Sequence, residues 1–418
     1  MKKLTLSVAV VALTVSAGMA HAAGFQLNEY SATGMGRSFA GAGVMADDFS
    51  AIGFNPAGMS LNKTNGVQAG ASVVSLFSDY EGQVDGNDVS GTTRITRALP
   101  SGFVQYKTGD VTLGLGVYVP FGLATDYENG WLGEDHGGLS QVTMLNISPA
   151  ISYAITDTFS LGASLNIQHA AARLTSTSGT TAKDLSGDDW GIGYTLGATF
   201  KPFKGTRLGV SYRSKISHQL KGKIKISGAP LPMLNGKNDI MAKVTSPETI
   251  LFSLAQEVNN KWTVSATARY TRWSRFKDLD IKTVDNNMKT FVPGYGLVNV
   301  PAGTNLSSTH ENWQNTWFYA LGADYKANNN LTLRVGTAYD ETVIRSDLDR
   351  TVRIPDGRRI WASFGLSYEN GPWVIDAAYA HIFVKTEWAR GGETGKSAPN
   401  IKYQSDANMA SLGVQYRF

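Results

Sequence analysis

The 418-residue sequence contains no cysteine, so disulfide frameworks and thiolate metal centres are excluded. It is also poor in charge: 17% of its residues are Asp, Glu, Lys or Arg, below the roughly one quarter usual in soluble domains. Basic and acidic residues nearly balance at +4, which leaves no electrostatic footprint for nucleic acid. Past the extreme N-terminus no apolar run reaches the ~18 residues of a spanning helix. His136, His169, His218, His310 and His381 lack metal-ligand spacing, no Gly-x-Ser-x-Gly elbow occurs, and Gly191-Ile192-Gly193 lies in a strand pattern with no helix after it. No enzyme, metal or cofactor is therefore expected.

What is present starts with Lys2 and Lys3, an apolar stretch from Leu4 to about Met19, and the small-residue triplet Ala20-His21-Ala22. This is the layout of an export signal over residues 1–22, cleaved after Ala22, and it is shorter than the ~20 residues that a membrane anchor needs. Removing it leaves 36 basic and 34 acidic residues, a nearly neutral chain.

The rest alternates. After Thr108-Gly109-Asp110 come Val111, Leu113, Leu115, Val117 and Val119; after Asn259-Asn260 come Trp262, Val264, Ala266, Ala268 and Tyr270; after Asn370-Gly371-Pro372 come Trp373, Ile375, Ala377 and Tyr379. The same restart follows Thr156-Asp157, Lys204-Gly205-Thr206 and Asn328-Asn329-Asn330. Intervening residues are small or polar, as in Thr112, Gly114 and Gly116 or Thr263, Ser265, Thr267 and Arg269. Period two means strands with one apolar face. These turns are short, whereas the opposite connections are long, at about residues 80–96, 121–138, 174–187, 222–243, 281–307, 344–357 and 389–400. Tight turns on one side and long loops on the other predict a transmembrane antiparallel β-barrel over residues 62–418, with about 14 strands, an even number. The last strand alternates through Leu412, Val414 and Tyr416 to a terminal Phe418, the pattern of an assembly signal; Phe159, Trp262 and Trp373 fit the aromatic girdle beside the short turns.

Residues 23–61 show neither strand nor helix periodicity, yet they hold Phe25, Leu27, Met35, Phe39, Phe49, Ile52, Phe54 and Met59. So many large apolar groups need burial, and the barrel interior is the available place. The segment reads as a plug, or hatch.

Several segments then carry a resemblance: Ala23-Gly24-Phe25-Gln26-Leu27-Asn28-Glu29, Gly34-Met35-Gly36-Arg37, Ala46-Asp47-Asp48 and Asn55-Pro56-Ala57, followed in order by Phe121-Gly122-Leu123-Ala124-Thr125, Asp189-Trp190-Gly191-Ile192-Gly193, Tyr270-Thr271-Arg272-Trp273-Ser274 and Ile354-Pro355-Asp356. Together they resemble the FadL/TodX family of outer-membrane transporters for long-chain fatty acids and other hydrophobic compounds, across essentially the whole mature chain. The resemblance implies passive uptake: capture in an extracellular groove, an internal pocket, and lateral release at an inward kink of the third strand. Here that strand carries Pro120 and Gly122, a missing donor and a tolerated bend. The resemblance also sets Asn55-Pro56-Ala57 against the kink and Phe25 at the pocket.

Alternation turns Arg269, Arg334, Asp340 and Asp376 inward, either as contacts for a ligand headgroup or as a salt-bridge network bracing barrel and hatch. A basic family position near Asp340 is replaced by Thr309 or His310. The apolar loop residues Leu231, Met233, Leu234, Phe291 and Tyr295 form either the groove or the rim. The loop at 174–187 looks short and polar, implying a shallower groove. Expected partners are hydrophobic small molecules, outer-membrane lipid and lipopolysaccharide, and the barrel assembly machinery that reads Tyr416 and Phe418; the chain is expected to be a monomer in the outer membrane of a Gram-negative bacterium. A diffusion porin for polar solutes and an outer-membrane phospholipase are the alternatives.

Overall fold

The computed structural model describes residues 24–391 and 399–418; the export signal lies outside them. Fourteen antiparallel strands close into a barrel. β1 (Gly66–Val84), β2 (Asn87–Thr108), β3 (Val111–Asp126), β4 (Leu139–Ala154), β5 (Phe159–Ser178) and β6 (Thr181–Phe200) each form one segment. β7 (Thr206–Arg213 and Ile216–Ser227), β8 (Gly236–Ser246 and Thr249–Glu257), β9 (Trp262–Thr271 and Asp278–Thr283) and β10 (Asn305–His310 and Thr316–Lys326) are each broken once. β11 (Leu331–Asp340), β12 (Arg359–Asn370), β13 (Trp373–Val384) and β14 (Asn400–Arg417) complete the circuit. β1 pairs with β14 from Gly66↔Arg417 to Gln83↔Asn400, which closes the wall.

The pleat sorts the residues as the alternation requires. Leu113, Leu115, Leu165, Leu196, Val264 and Ile375 are exposed on the outer face, while Thr112, Ser164, Thr195, Ser265 and Asp376 are buried inside. Outer-face exposure of apolar groups is stable only against lipid, so the outward band is the membrane surface.

Three stretches expected to be long loops are paired hairpins instead. β1 and β2 stay paired to Val84↔Asn87, so residues 80–96 turn only at Asp85 and Gly86, whose φ values of 50° and 79° suit a tight hairpin turn. β5 and β6 stay paired to Ser178↔Thr181, so 174–187 is a tall hairpin and not a short polar loop. β7 and β8 stay paired to Ile226↔Gly236. Beyond the bilayer the strand faces no longer divide into lipid and lumen, so apolar alternation fades while the backbone ladder continues.

The N-terminal segment fills the lumen. Its helices α1 (Ala32–Gly36) and α2 (Ala51–Phe54) and a 3-10 turn (Pro56–Leu61) are almost wholly buried. Ser31 caps α1 by accepting from the Gly34 N–H at 2.8 Å. Glycines allow hatch and wall to touch backbone to backbone: a Cβ on Gly36 would lie 2.9 Å from Gly365 Cα.

One seam of the wall is incomplete. β3 pairs with β2 only from Thr108↔Val111 to Gly102↔Val117. Beyond Val117 it pairs with β4 alone, after a register shift between Tyr118 and Phe121. Residues 118–125 of β3 are buried on both faces, so this half of the strand has left the wall for the lumen. Pro100 and Pro120 stand within two or three positions of the last β2–β3 pair, and a proline has no N–H to extend the ladder.

Candidate functional site

The inner edge of bent β3 does not stay bare. Gln26 forms an antiparallel bridge with Phe121, the Leu27 N–H donates to Pro120 O at 2.8 Å, and the Gly122 N–H donates to Phe25 O at 2.5 Å. Phe25–Leu27 thus adds a short strand to β3 from inside the barrel. Pro120 and Gly122 are both part of that junction, where the missing donor and the bend coincide.

Phe25 anchors an aromatic cluster, with ring centroids 4.7 Å from Trp273, 5.7 Å from Trp313, 5.9 Å from Phe276 and 6.0 Å from Phe121. Gly24 precedes it at φ +63°, and a Cβ there would strike Trp313 at 2.8 Å. Above this cluster lies a small apolar cavity of about 70 Å³, lined by Phe25, Leu123, Val142, Leu220, Phe276 and Ile354 among others. A larger cavity of about 490 Å³ opens next to it. Both are bounded by Leu174, Leu185, Leu279, Ile281 and Arg353, so this set separates an outer chamber from an inner one. Leu231, Met233 and Leu234 sit on the loop between β7 and β8, and Phe291 and Tyr295 on a small hairpin (Lys289–Val292 with Gly296–Asn299) of the β9–β10 connection. Tyr295 is 84% exposed. None of these five lines the outer cavity itself; they lie in loops beyond it.

Of the four inward charged residues, none lines either chamber. Of the two readings given for them, pocket contact or bracing network, Arg334 takes the second: it and Asp376 lie low in the barrel, near the short turns. There Arg37 of the hatch pairs with Asp47 at 2.7 Å and Asp324 at 3.0 Å, while Arg334 reaches the same two carboxylates at 3.0 and 3.1 Å. Asp376 accepts from Ser367 and from Gln415 at 2.7 Å. Burial alone would raise the Asp47 carboxyl, but Arg37 and Arg334 hold it well below the usual range. Arg269 and Asp340 lie higher, yet they too are engaged: Arg269 donates to Asn28 and sits 4.9 Å over the Phe318 ring, and Asp340 faces Arg359 at 3.5 Å. Beside Arg269, burial pushes the Glu29 carboxyl up to about 7. Alternation fixes the face of a residue, but it does not say that the hatch occupies that depth.

Asn55-Pro56-Ala57 also requires a correction. The triplet packs on β4 to β7 and not on the β3 bend: Asn55 Nδ2 donates to Ala198 O at 3.1 Å and Val210 O at 3.3 Å, its Oδ1 accepts from the Ala57 N–H, and Ser152 donates to Ala57 O. Asn55 caps the 3-10 turn with Pro56 at its first position, which is the local reason for the triplet. Contact with the bend belongs to Phe25–Leu27, a segment too short for periodicity to reveal. Tyr416 and Phe418 face outward beside Trp373, with Phe418 63% exposed.

Sequence reasoning passed over Arg353, which sits in irregular chain between β11 and β12. Only the adjacent Ile354-Pro355-Asp356 marked that stretch.

Residues 13–418 match the family described as outer membrane protein transport protein (OMPP1/FadL/TodX). The 47 kDa outer membrane protein of Pasteurella multocida is 29% identical, with 100% of this chain and 99% of that protein covered. The long-chain fatty acid transport protein of Escherichia coli O6:H1 is 26% identical over 99% of this chain and 98% of its own length. A crystal structure of a Pseudomonas aeruginosa FadL homologue superposes with a TM-score of 0.83 at 25% identity, covering 95% of this chain and all of that one. Because the match takes in the hatch, the bent strand and the closing strand alike, the chain belongs to the OMPP1/FadL/TodX family of outer-membrane transport proteins.

Proposed function

We propose that the protein takes up long-chain fatty acids or chemically similar hydrophobic compounds passively, and releases them sideways into the membrane at the β3 bend. The observation that carries this reading is the unpaired β2–β3 seam, stopped from inside by Phe25–Leu27. A ligand entering the inner chamber would compete with Phe25 for the same aromatic surface, and withdrawal of Phe25–Leu27 would free the seam. An acyl chain gains roughly 0.8 kcal/mol per buried methylene, so exit into the bilayer is favoured over exit into water. Buried ion pairs across the lower lumen argue against a straight path for polar solutes. The protein works as a monomer, in contact with outer-membrane lipid and lipopolysaccharide, and its terminal Phe418 is read by the barrel assembly machinery.

The test is Gly122→Trp, which fills the bend. Oleate uptake by cells should fall to background, while oleate binding to the detergent-purified protein stays near normal. Normal uptake by a well-expressed Gly122→Trp protein would move the exit to a path through the hatch.

A further inference from the structure

The strands that wall the inner chamber also have an outward face. On β7 and β8, Leu220, Ile240 and Val244 are buried toward the chamber. Alternating with them, Lys221, Lys225, Lys237 and Lys243 point outward and are exposed. On the neighbouring strand β6 the exposed apolar band runs up through Tyr194 and Ile192 and ends at Trp190. Lys221 is in register with Asp188, one alternation above Trp190, and Lys225 stands about 13 Å further along its strand, away from the short turns. The lysines thus begin at the edge of the lipid-facing band and climb away from it on the long-loop side.

We propose that this outer face of β7 and β8 is a binding site for lipopolysaccharide, which it holds through phosphate groups carried on the lipid's sugars. The proposal rests on the lipopolysaccharide contact read above and gives that contact a place on the wall.

The carboxylates nearby are already engaged. Arg173 pairs with Asp184 at 2.8 Å, His169 with Asp188 at 3.2 Å, Lys223 with Asp239 at 2.6 Å and Lys282 with Asp280 at 3.6 Å. Among the described residues, Lys221, Lys225, Lys237 and Lys243 form no ion pair. Two of them oppose each other directly, since Lys225 is in register with Lys237 on the same face. Like charges set opposite across a ladder repel, and an anion held between them replaces that repulsion with two charge-assisted contacts. Unpaired lysines at a membrane edge draw anionic lipid in any case. What favours a phosphorylated glycolipid is the height of the patch: a phospholipid places its phosphate at one level, whereas these lysines occupy several rows, from the band edge at Lys221 and Lys243 up to Lys225 and Lys237.

The experiment measures binding of bisphosphorylated lipid A, dephosphorylated lipid A and phosphatidylglycerol to the detergent-purified full chain. A patch variant, Lys221→Gln, Lys225→Gln, Lys237→Gln and Lys243→Gln together, is set beside a variant of equal charge change at the short-turn mouth of the barrel, Lys63→Gln, Lys204→Gln, Lys261→Gln and Lys326→Gln. Bisphosphorylated lipid A should bind the unaltered protein and the mouth variant alike and the patch variant at least about tenfold more weakly, with no such loss for the dephosphorylated form. The double variant Lys225→Gln and Lys237→Gln, a milder change, should show part of the same loss. Equal weakening in the patch and mouth variants would reduce the effect to net charge. Phosphatidylglycerol bound as tightly as lipid A would make the face a general anionic-lipid surface, and displacement of lipid A by inorganic phosphate at equal concentration would make it a free-phosphate site. Each of these results overturns the assignment, as does lipid A binding that the patch and double variants leave unchanged. Failure of the unaltered protein to bind lipid A would instead refute the lipopolysaccharide contact itself, a result separate from the others.

Discussion

The lower and upper halves of the lumen are filled by the same 38-residue span, 24–61, but by different forces. Below, Arg37 of the hatch is tied to Asp47 and Asp324, and Arg334 of the wall to the same pair, a lattice of charge in which Arg37, Asp324 and Arg334 are buried and Asp47 is half-buried. Above, the Phe25 ring meets Trp273, Trp313, Phe276 and Phe121, and two backbone hydrogen bonds to β3, at Pro120 and Gly122, hold the same segment. Breaking a buried ion pair strands a charge, whereas an aromatic contact can be exchanged for another apolar group at little cost. On the proposed uptake reading, the difference separates a fixed base from an exchangeable stopper, both within one short segment.

The sharpest way to break this contrast is Arg37→Ala. It leaves buried Asp324 and half-buried Asp47 with Arg334 as their shared partner and should cost about 3 kcal/mol of hatch docking. Protease sensitivity of the hatch and swelling of liposomes in small sugars should both rise; if neither moves, the base is held by something other than charge. Next comes Phe25→Ala, which removes about 3 kcal/mol or more of packing from the upper half only. Sugar permeation should stay at the unaltered level while oleate binds more tightly by calorimetry, because the ligand no longer has to displace a ring. Weaker oleate binding would make Phe25 a wall of the site and not its stopper. The smallest effect belongs to Asn55→Ala, at about 1–2 kcal/mol, since it deletes one cap and two bonds to wall carbonyls. Faster hydrogen exchange at the Ala57 amide, with oleate binding unaffected, is the expected reading; a loss of uptake would tie the triplet to the β3 bend after all.

How far the sequence alone reaches follows the same division. The barrel was legible because lipid and lumen impose a period of two on every strand that crosses between them, from Leu113 and Leu115 to Ile375. Where that constraint ends, so does the signal: the paired hairpin tops at 80–96 and 174–187 read as loops in the sequence because both faces there tolerate polar groups. Pro120 and Gly122 marked a bend, since each residue type has its own backbone consequence, but its inward depth depends on a partner, Phe25–Leu27, whose sequence has no period. Asn55 showed its capping chemistry and concealed its address on β6 and β7. Arg353 was invisible for the same reason: an irregular segment between strands gives no rule for where its side chains point.

The two prolines at the incomplete seam have a consequence for how the wall is inherited. Carrying the β2–β3 register two or three residues further would bring Pro100 opposite Val119 and Leu99 opposite Pro120; neighbouring rows alternate between hydrogen-bonded and non-hydrogen-bonded, so one of the two prolines would stand in a row that needs its missing amide hydrogen. Zipping the seam shut would therefore leave a carbonyl without its ladder partner. On the proposed lateral release, the gap between β2 and β3 is then built into the wall, and cargo would have to displace Phe25–Leu27 rather than break strand pairs. Under the proposed lateral release, what would vary over a transport cycle is the occupant of the opening: Phe25–Leu27 at rest, and the cargo in passage.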